Sequence, residues 1–292
     1  MERKKQNLVC RLVNVAVNVL FGIAILIVGW LCLQVFVFSS FRIPSRSMEP
    51  ELTINDYVLV LKPIIGPRIF NVFASLRGEQ VAIYRLPGFR RIKRNDVLVF
   101  NNPYPESPDT MQMHILKYYV KRCIGIPGDT LSIQNGYFRI KGVTDRLGHL
   151  ASQEKISKET KEVKMEDCFP HDSIVRWNMK NFGPMYIPGR GDSISLDMIN
   201  AKLYKQLIEW ETQADLRFQD SCCFINGVRI EGYRFKKNYY FMAGDNGLDS
   251  QDSRHWGLVP EDFIVGKVWL IWKSYDPFTG KFRKDRFLKK VH

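Results

Sequence analysis

Residues 12–38 form an unbroken run of 27 positions without a charge, with Asn14, Asn18 and Gln34 as the only strongly polar breaks. As a helix rising about 1.5 Å per residue the run spans about 40 Å, more than a hydrocarbon core of about 30 Å. It is too long for a cleavable secretory signal, whose apolar region is roughly 7 to 15 residues. A buried helix in a water-soluble fold would need its apolar surface covered all round. The pattern therefore predicts one transmembrane helix over residues 12–38. Arg3, Lys4, Lys5 and Arg11 precede it, an asymmetry that keeps the N-terminus cytoplasmic and puts the rest of the chain on the far side of the cytoplasmic membrane. The apolar stretch at 268–272 is only strand length.

Beyond the span, short apolar runs recur between Gly and Pro punctuation: YVLVLKP at 57–63, DVLVFNNP at 96–103, YYVKRCIGIPGD at 118–129 and KVWLIWKSYDP at 267–277. They predict a mainly β, antiparallel domain. One segment differs. Residues 193–216 place apolar side chains at helical spacing, with Asp192 or Ser193 as N-cap. It lies in a more polar stretch, 131–238, that carries a lysine-rich run around 155–164. The predicted organisation is a cytoplasmic N-terminus over 1–11, a transmembrane helix over 12–38, a β-rich catalytic domain over 39–130 and 239–292, and an inserted α+β lobe over 131–238.

The chain has 292 residues, 45% of them hydrophobic and 13% aromatic, which supplies a core and excludes disordered and collagen-like classes. A net charge of +13 points to anionic partners, nucleic acid or a lipid surface. Its placement is uneven: residues 62–94 hold eight basic side chains against Glu79, and 281–290 hold six against Asp285. Beside a membrane span these patches fit anionic headgroups, and a location outside the cytosol argues against nucleic acid. Of six cysteines, Cys123, Cys168, Cys222 and Cys223 lie beyond the span; a bridge from Cys168 to Cys222 or Cys223 and free buried thiols are both open. No Cys or His spacing resembles a zinc site. The Arg-Gly-Asp triplet at 190–192 is a chance match in a turn.

Three segments carry candidate chemistry. FRIPSRSMEPEL, 41–52, begins three residues past the span, and its prolines hold Ser45 and Ser47 in an extended segment. In 118–129, period-two alternation puts Tyr119, Lys121 and Cys123 on one face and Val120, Arg122 and Ile124 on the other. Lys121 among apolar neighbours is either an edge-strand gatekeeper or a desolvated amine able to activate a serine without histidine. AGDNGLDSQDSRHWGLVP, 243–260, is a structured loop. Its Asp245, Asn246, Asp249 and Asp252 lack the EF-hand spacing for calcium.

Together the span, PSRSMEP, VKRCIGIPGD and GDNGLDSQDSRHWG closely resemble, in order, the motifs of the type I signal peptidases, membrane-bound serine proteases that remove signal peptides from exported preproteins. The resemblance covers about 12–130 and 238–276. It implies an antiparallel β catalytic domain, Ser47 as nucleophile, Lys121 as general base, and an oxyanion hole from the Ser45 hydroxyl with the Ser47 N–H. It further implies that Ser250 orients the lysine and that Asp245, Asp252 and Arg254 support the site, with Asp252–Arg254 and Asp245–Arg122 as expected ion pairs. No metal or cofactor is implied. Cleavage after small residues in an Ala-x-Ala pattern is implied, with shallow pockets lined by Phe41, Ile43, Pro44, Met48, Leu52, Val58, Tyr119 and Val120. Arg46, Glu51, Gly247 and Leu248 depart from common family residues. The self-cleaving repressors share the serine/lysine fold, but they carry a DNA-binding domain where this chain has a span. A non-catalytic binding protein on the same fold would have lost Ser47 or Lys121, and both are present. A specialised paralogue of the family remains an alternative.

Overall fold

The computed structural model describes residues 2–77, 79, 81–107, 110–159, 168–219 and 222–292, with side chains from residue 11 onward. Lys161 and Lys164 of the lysine-rich run fall outside these residues.

Helix α1 (Glu2–Phe36) contains the apolar span Arg11–Phe36, none of whose hydrophobic window is buried against the rest of the protein. Among the described residues it is the one helix long and apolar enough to cross a membrane. The helix ends two residues before the expected boundary, because Phe38 opens strand β1 (Phe38–Arg42) and pairs with Leu61. The Lys62 ammonium donates to the Gln34 and Val35 carbonyls at 2.6 and 3.2 Å, satisfying acceptors that a helix end leaves without partners.

Strands β2 (Asp56–Leu61), β3 (Val97–Asn101) and β4 (Tyr118–Gly125) follow. The insertion supplies β5 (Thr130–Gln134), β6 (Tyr137–Ile140), α2 (Leu150–Lys158), β7 (Phe182–Tyr186), α3 (Met198–Thr212) and the meander β8 (Leu216–Gln219), β9 (Cys222–Ile225) and β10 (Val228–Ile230). The chain then returns through β11 (Tyr239–Ala243), α4 (Ser253–Trp256), β12 (Val259–Pro260), β13 (Ile264–Ser274) and β14 (Lys289–Lys290). The main sheet has eight strands in the order β1-β2-β13-β3-β4-β11-β12, with β14 added on β13, and each of these neighbours pairs antiparallel.

Both faces of this sheet are covered, which explains why β3 reads as an unbroken apolar run instead of an alternation. Val97 and Val99 point into a valine-rich cluster with Val58, Val60, Val268 and Ile271. Leu98 and Phe100 point the other way, into a larger cluster with Phe241 and Ile264 that continues through Leu131, Phe182, Tyr204 and Leu207 of the insertion. The insertion thus closes the second face of the sheet, and its own three-stranded sheet β6-β5-β7 packs into that shared cluster.

The expected long helix starts later than its periodicity suggested. Ser193–Ser195 is extended and pairs with Gly232–Arg234, and the N-cap is Asp197, whose carboxylate accepts from Asn200 N at 2.7 Å. Asp192 instead accepts from Gly189 N and the Tyr186 hydroxyl, which closes the turn containing the Arg-Gly-Asp triplet. Cys123, Cys222 and Cys223 are free thiols, so neither bridge to Cys168 forms, and the Cys223 thiol faces the Leu196 carbonyl at 3.7 Å.

Candidate active site

The connection between β1 and β2 is tied down at both ends. Ile43 N donates to Asp56 O and Asn55 N to Ile43 O, at 2.8 and 2.9 Å, while Leu52 N donates to Met48 O at 2.9 Å. Ile43, Met48 and Leu52 sink into the valine-rich cluster. With Met48 as a buried peg, Ser47 is held half-buried at the cluster's rim.

Lys121 enters from β4, opposite Leu98, and is 2% exposed. Its Nζ lies 2.5 Å from Ser47 Oγ and 5.6 Å from the centre of the Tyr119 ring. Burial penalises the ammonium and lowers its pKa from 10.5 to about 8; Asp252 pulls it back up and Arg254 pushes it down. Those two opposing charges are partners of each other, so desolvation decides the outcome.

The loop at 243–260 builds the wall behind the lysine. Asp252 is fully buried and accepts from Arg254 Nε and Nη2 at 2.8 and 2.7 Å, from Ser250 Oγ at 2.7 Å and from Gly244 N at 2.9 Å. Burial alone would raise the Asp252 pKa, but the adjacent Arg254 guanidinium holds it below the usual carboxylate range. Asp252 also caps α4, its side chain accepting from Arg254 N at 3.2 Å. On the neighbouring residue, Arg122 makes a two-point pair with Asp245 at 2.7 and 2.6 Å and donates to the Asn95 and His292 carbonyls. Both expected ion pairs are therefore present, and neither Asp245 nor Asp252 is available to form a calcium cage.

Ser45 Oγ lies 3.4 Å from Ser47 Oγ on the exposed side of the Ser47–Lys121 contact. Ser250 joins the site through Asp252, the acceptor of its hydroxyl, and packs against Gly244. Gly244 permits this: a Cβ there would stand 2.5 Å from the Ser47 carbonyl oxygen. Of the expected pocket residues, Ile43, Met48, Leu52 and Val58 are buried in the valine-rich cluster, Phe41 and Val120 pack partly buried against it, and Pro44 is exposed. Tyr119 lies on the opposite face, stacked on Trp256 with ring centres 5.1 Å apart. Tyr119 and Trp256 border a cavity of about 990 Å³ that extends to Lys202 and Gln206 of α3.

Several contacts around the site are not legible in the sequence. Asn246 clamps the serine segment, its N–H donating to Ser47 O at 3.0 Å and its side-chain amide to Arg46 O at 3.3 Å. Asp56, fully buried at the start of β2, gathers Arg283, Arg286 and Ser274. Arg286 also donates to Glu51 O at 2.9 Å, and His292 N to Glu51 Oε1 at 3.0 Å, so residues 283–292 brace the serine segment from behind. The departure at Gly247 now has a cause: a Cβ there would lie 2.5 Å from Ile156 Cδ1 of α2 and 3.2 Å from Arg254 Nη1. Nothing in the structure explains Leu248, which is exposed.

Comparison with known proteins follows the same outline. A family model described as signal peptidase, peptidase S26, matches residues 14–273. The chain is 29% identical over 243 residues to a signal peptidase I of Buchnera aphidicola subsp. Baizongia pistaciae, covering 82% of this chain and 71% of that one. It is 26% identical over 271 residues to that of Buchnera aphidicola subsp. Schizaphis graminum, covering 88% and 74%. With the signal peptidase I of Pseudomonas aeruginosa it shares 28% identity over 261 residues, covering 85% and 69%.

Proposed function

We propose, from the premise that this chain belongs to the signal peptidase family, peptidase S26, that Ser47 is its nucleophile and Lys121 its general base. The chain is a membrane-anchored peptidase that removes signal peptides. The observation that carries the assignment is the 2.5 Å contact between Ser47 Oγ and the Nζ of a buried lysine. A neutral Lys121 accepts the serine proton as Oγ attacks the scissile carbonyl, and then returns it to the departing amine. Water, deprotonated by the Lys121 amine, then attacks the acyl-enzyme, and the proton passes to Ser47 Oγ as the ester bond breaks and the acid product is released. The Ser45 hydroxyl and the Ser47 N–H face the oxyanion. Asp252, Arg254 and Ser250 act as positioning residues, holding the wall against which Lys121 is desolvated.

Specificity for small side chains in the Ala-x-Ala pattern rests on Phe41, Ile43, Pro44, Met48, Leu52, Val58, Tyr119 and Val120. In this reading the buried members form the floor and Phe41, Pro44, Tyr119 and Val120 the accessible rim. The signal peptide approaches from β1, beside the end of α1, and the mature chain leaves past Tyr119 and Trp256 into the large cavity. Basic residues before the span keep the N-terminus cytoplasmic and the active site on the outer side of the cytoplasmic membrane. The folded domain rests against anionic headgroups.

The test is cleavage of a signal-bearing precursor by the purified full-length protein in detergent micelles. Ser47→Ala and Lys121→Ala abolish processing with the fold retained by circular dichroism, and Ser45→Ala lowers the rate by about 10² to 10³. Undiminished cleavage by Ser47→Ala would falsify the assignment.

A further inference from the structure

Most of the basic residues between β2 and β3 are not free to meet a membrane at large. Arg68 donates to Asn101 and to the Asp262 and Phe263 carbonyls, Arg94 is paired with Asp129, and Arg90 makes a two-point pair with Asp96 at 2.8 and 2.9 Å. Arg90, so paired, still borders a cavity in which other guanidiniums are not neutralised. A cavity of about 700 Å³ is lined by Arg85, Arg90, Arg91, Arg190, Tyr240 and Glu261 among others. Arg85 donates to carbonyl oxygens of Gly66, Glu261 and Ile264 at 2.7, 2.6 and 2.6 Å, so its charge is held there without a hydrogen-bonded carboxylate among the described residues. Glu261 is shared between Arg190 at 3.1 Å and the Asn238 amide at 2.8 Å. Arg91 is exposed at the rim. With Arg90 paired to Asp96 and Arg190 to Glu261, Arg85 and Arg91 leave an excess of two guanidinium charges, and the cavity suits an anion of phosphate type.

The surroundings say where that anion comes from. Gly88 and Arg90 line the cavity, and Phe89 between them is 87% exposed. Phe73 and Tyr84 of the same arm are 76% and 71% exposed, next to exposed Ile69 and Leu76. Ile65, on the cavity wall, lies three residues after Lys62, which caps the end of the membrane helix. Apolar rings, an arginine cavity and the end of the anchor thus adjoin one another.

We propose that this cavity binds the phosphate-bearing headgroup of an anionic phospholipid, with the aromatic arm dipping into the same leaflet. The proposal rests on the membrane placement given above and is independent of the Ser47–Lys121 assignment. Both Arg91 and Arg190 lie on the rim, so replacing them leaves the core untouched.

The experiment uses full-length protein in nanodiscs containing phosphatidylcholine and phosphatidylglycerol, with retained lipid read by native mass spectrometry. The wild type retains phosphatidylglycerol in preference, and R91Q and R190Q each weaken retention by about fivefold, the effect of about one surface-adjacent basic residue. K281Q with K284Q, on the other basic segment, leaves retention unchanged. Equal retention of the two lipids by the wild type overturns the proposal. So does an equal loss in the Lys281/Lys284 variant, which would signal diffuse charge, or full displacement of lipid by millimolar inorganic phosphate, which would signal a free-anion site. Cleavage in micelles free of phosphatidylglycerol reports on the dyad alone, so failure of one reading is separable from failure of the other.

Discussion

In the proposed mechanism the chemistry depends on keeping one lysine dry. Lys121 is charged in the unfolded chain up to about pH 10.5 but, with its pKa lowered to about 8, largely neutral above pH 8 once folded. Between those values the unfolded state binds more protons, so the lysine's contribution to stability rises with pH across that window. Below pH 8 the fold carries the full penalty, on the order of 3 kcal/mol. Lys121→Met, similar in shape and without charge, is therefore expected to stabilise the protein by up to about 3 kcal/mol at pH 7 and to gain much less at pH 10. Chemical denaturation of both proteins at the two pH values checks this, and equal stability at pH 7 contradicts it. A second prediction concerns Gly247. Gly247→Ala drives a methyl against Ile156 and costs about 1 to 3 kcal/mol. Trimming Ile156 to Val recovers part of that loss, seen as a coupling energy in the double-mutant cycle. Strict additivity would mean that the two side chains do not compete.

Among the elements, the ones that face their surroundings in the simplest way were legible from sequence. The apolar run of α1, the short β strands and the order of the serine, lysine and loop segments follow from local periodicity and motif. Phe38 is ambiguous in sequence because an apolar residue serves a membrane helix and an edge strand equally well. The start of α3 is not legible in sequence because Ser193–Ser195 carries no strand signal of its own; its conformation depends on pairing with Gly232–Arg234, far along the chain. The Asp56 cluster was invisible for the same reason, since Arg286 lies 230 residues away. That cluster fastens residues 283–292 behind the serine segment. Asp56→Ala leaves Arg286 and Arg283 without their shared carboxylate and is expected to destabilise the fold by about 3 to 5 kcal/mol. Its processing rate should fall with it, because Glu51 loses the backing of Arg286. A loss under about 1 kcal/mol in a denaturation curve would show that the tail is held by something else.

For the whole molecule, 43 basic residues exceed 30 acidic ones by 13, and several of the basic ones are engaged by carboxylates inside the fold. Arg283 and Arg286 serve Asp56, Arg122 serves Asp245, and Arg254 serves Asp252. A sequence shows where charges fall along the chain and cannot show which are already paired, so the broad patches of the sequence contract to fewer free groups. The same limit applied to the substrate pockets, where apolar residue type does not distinguish floor from rim. What joins all scales is a buried amine beside Ser47, in a domain that follows a membrane anchor. The most direct measurement is the rate of precursor cleavage by the full-length protein in micelles, at subsaturating substrate, from pH 6 to pH 10. With neutral Lys121 as the base, the rate climbs about tenfold per pH unit and levels off above an apparent pKa near 8, and Lys121→Ala shows no turnover at any pH. A rate that is flat across the range, or a Lys121→Ala protein that retains the wild-type profile, would contradict the account.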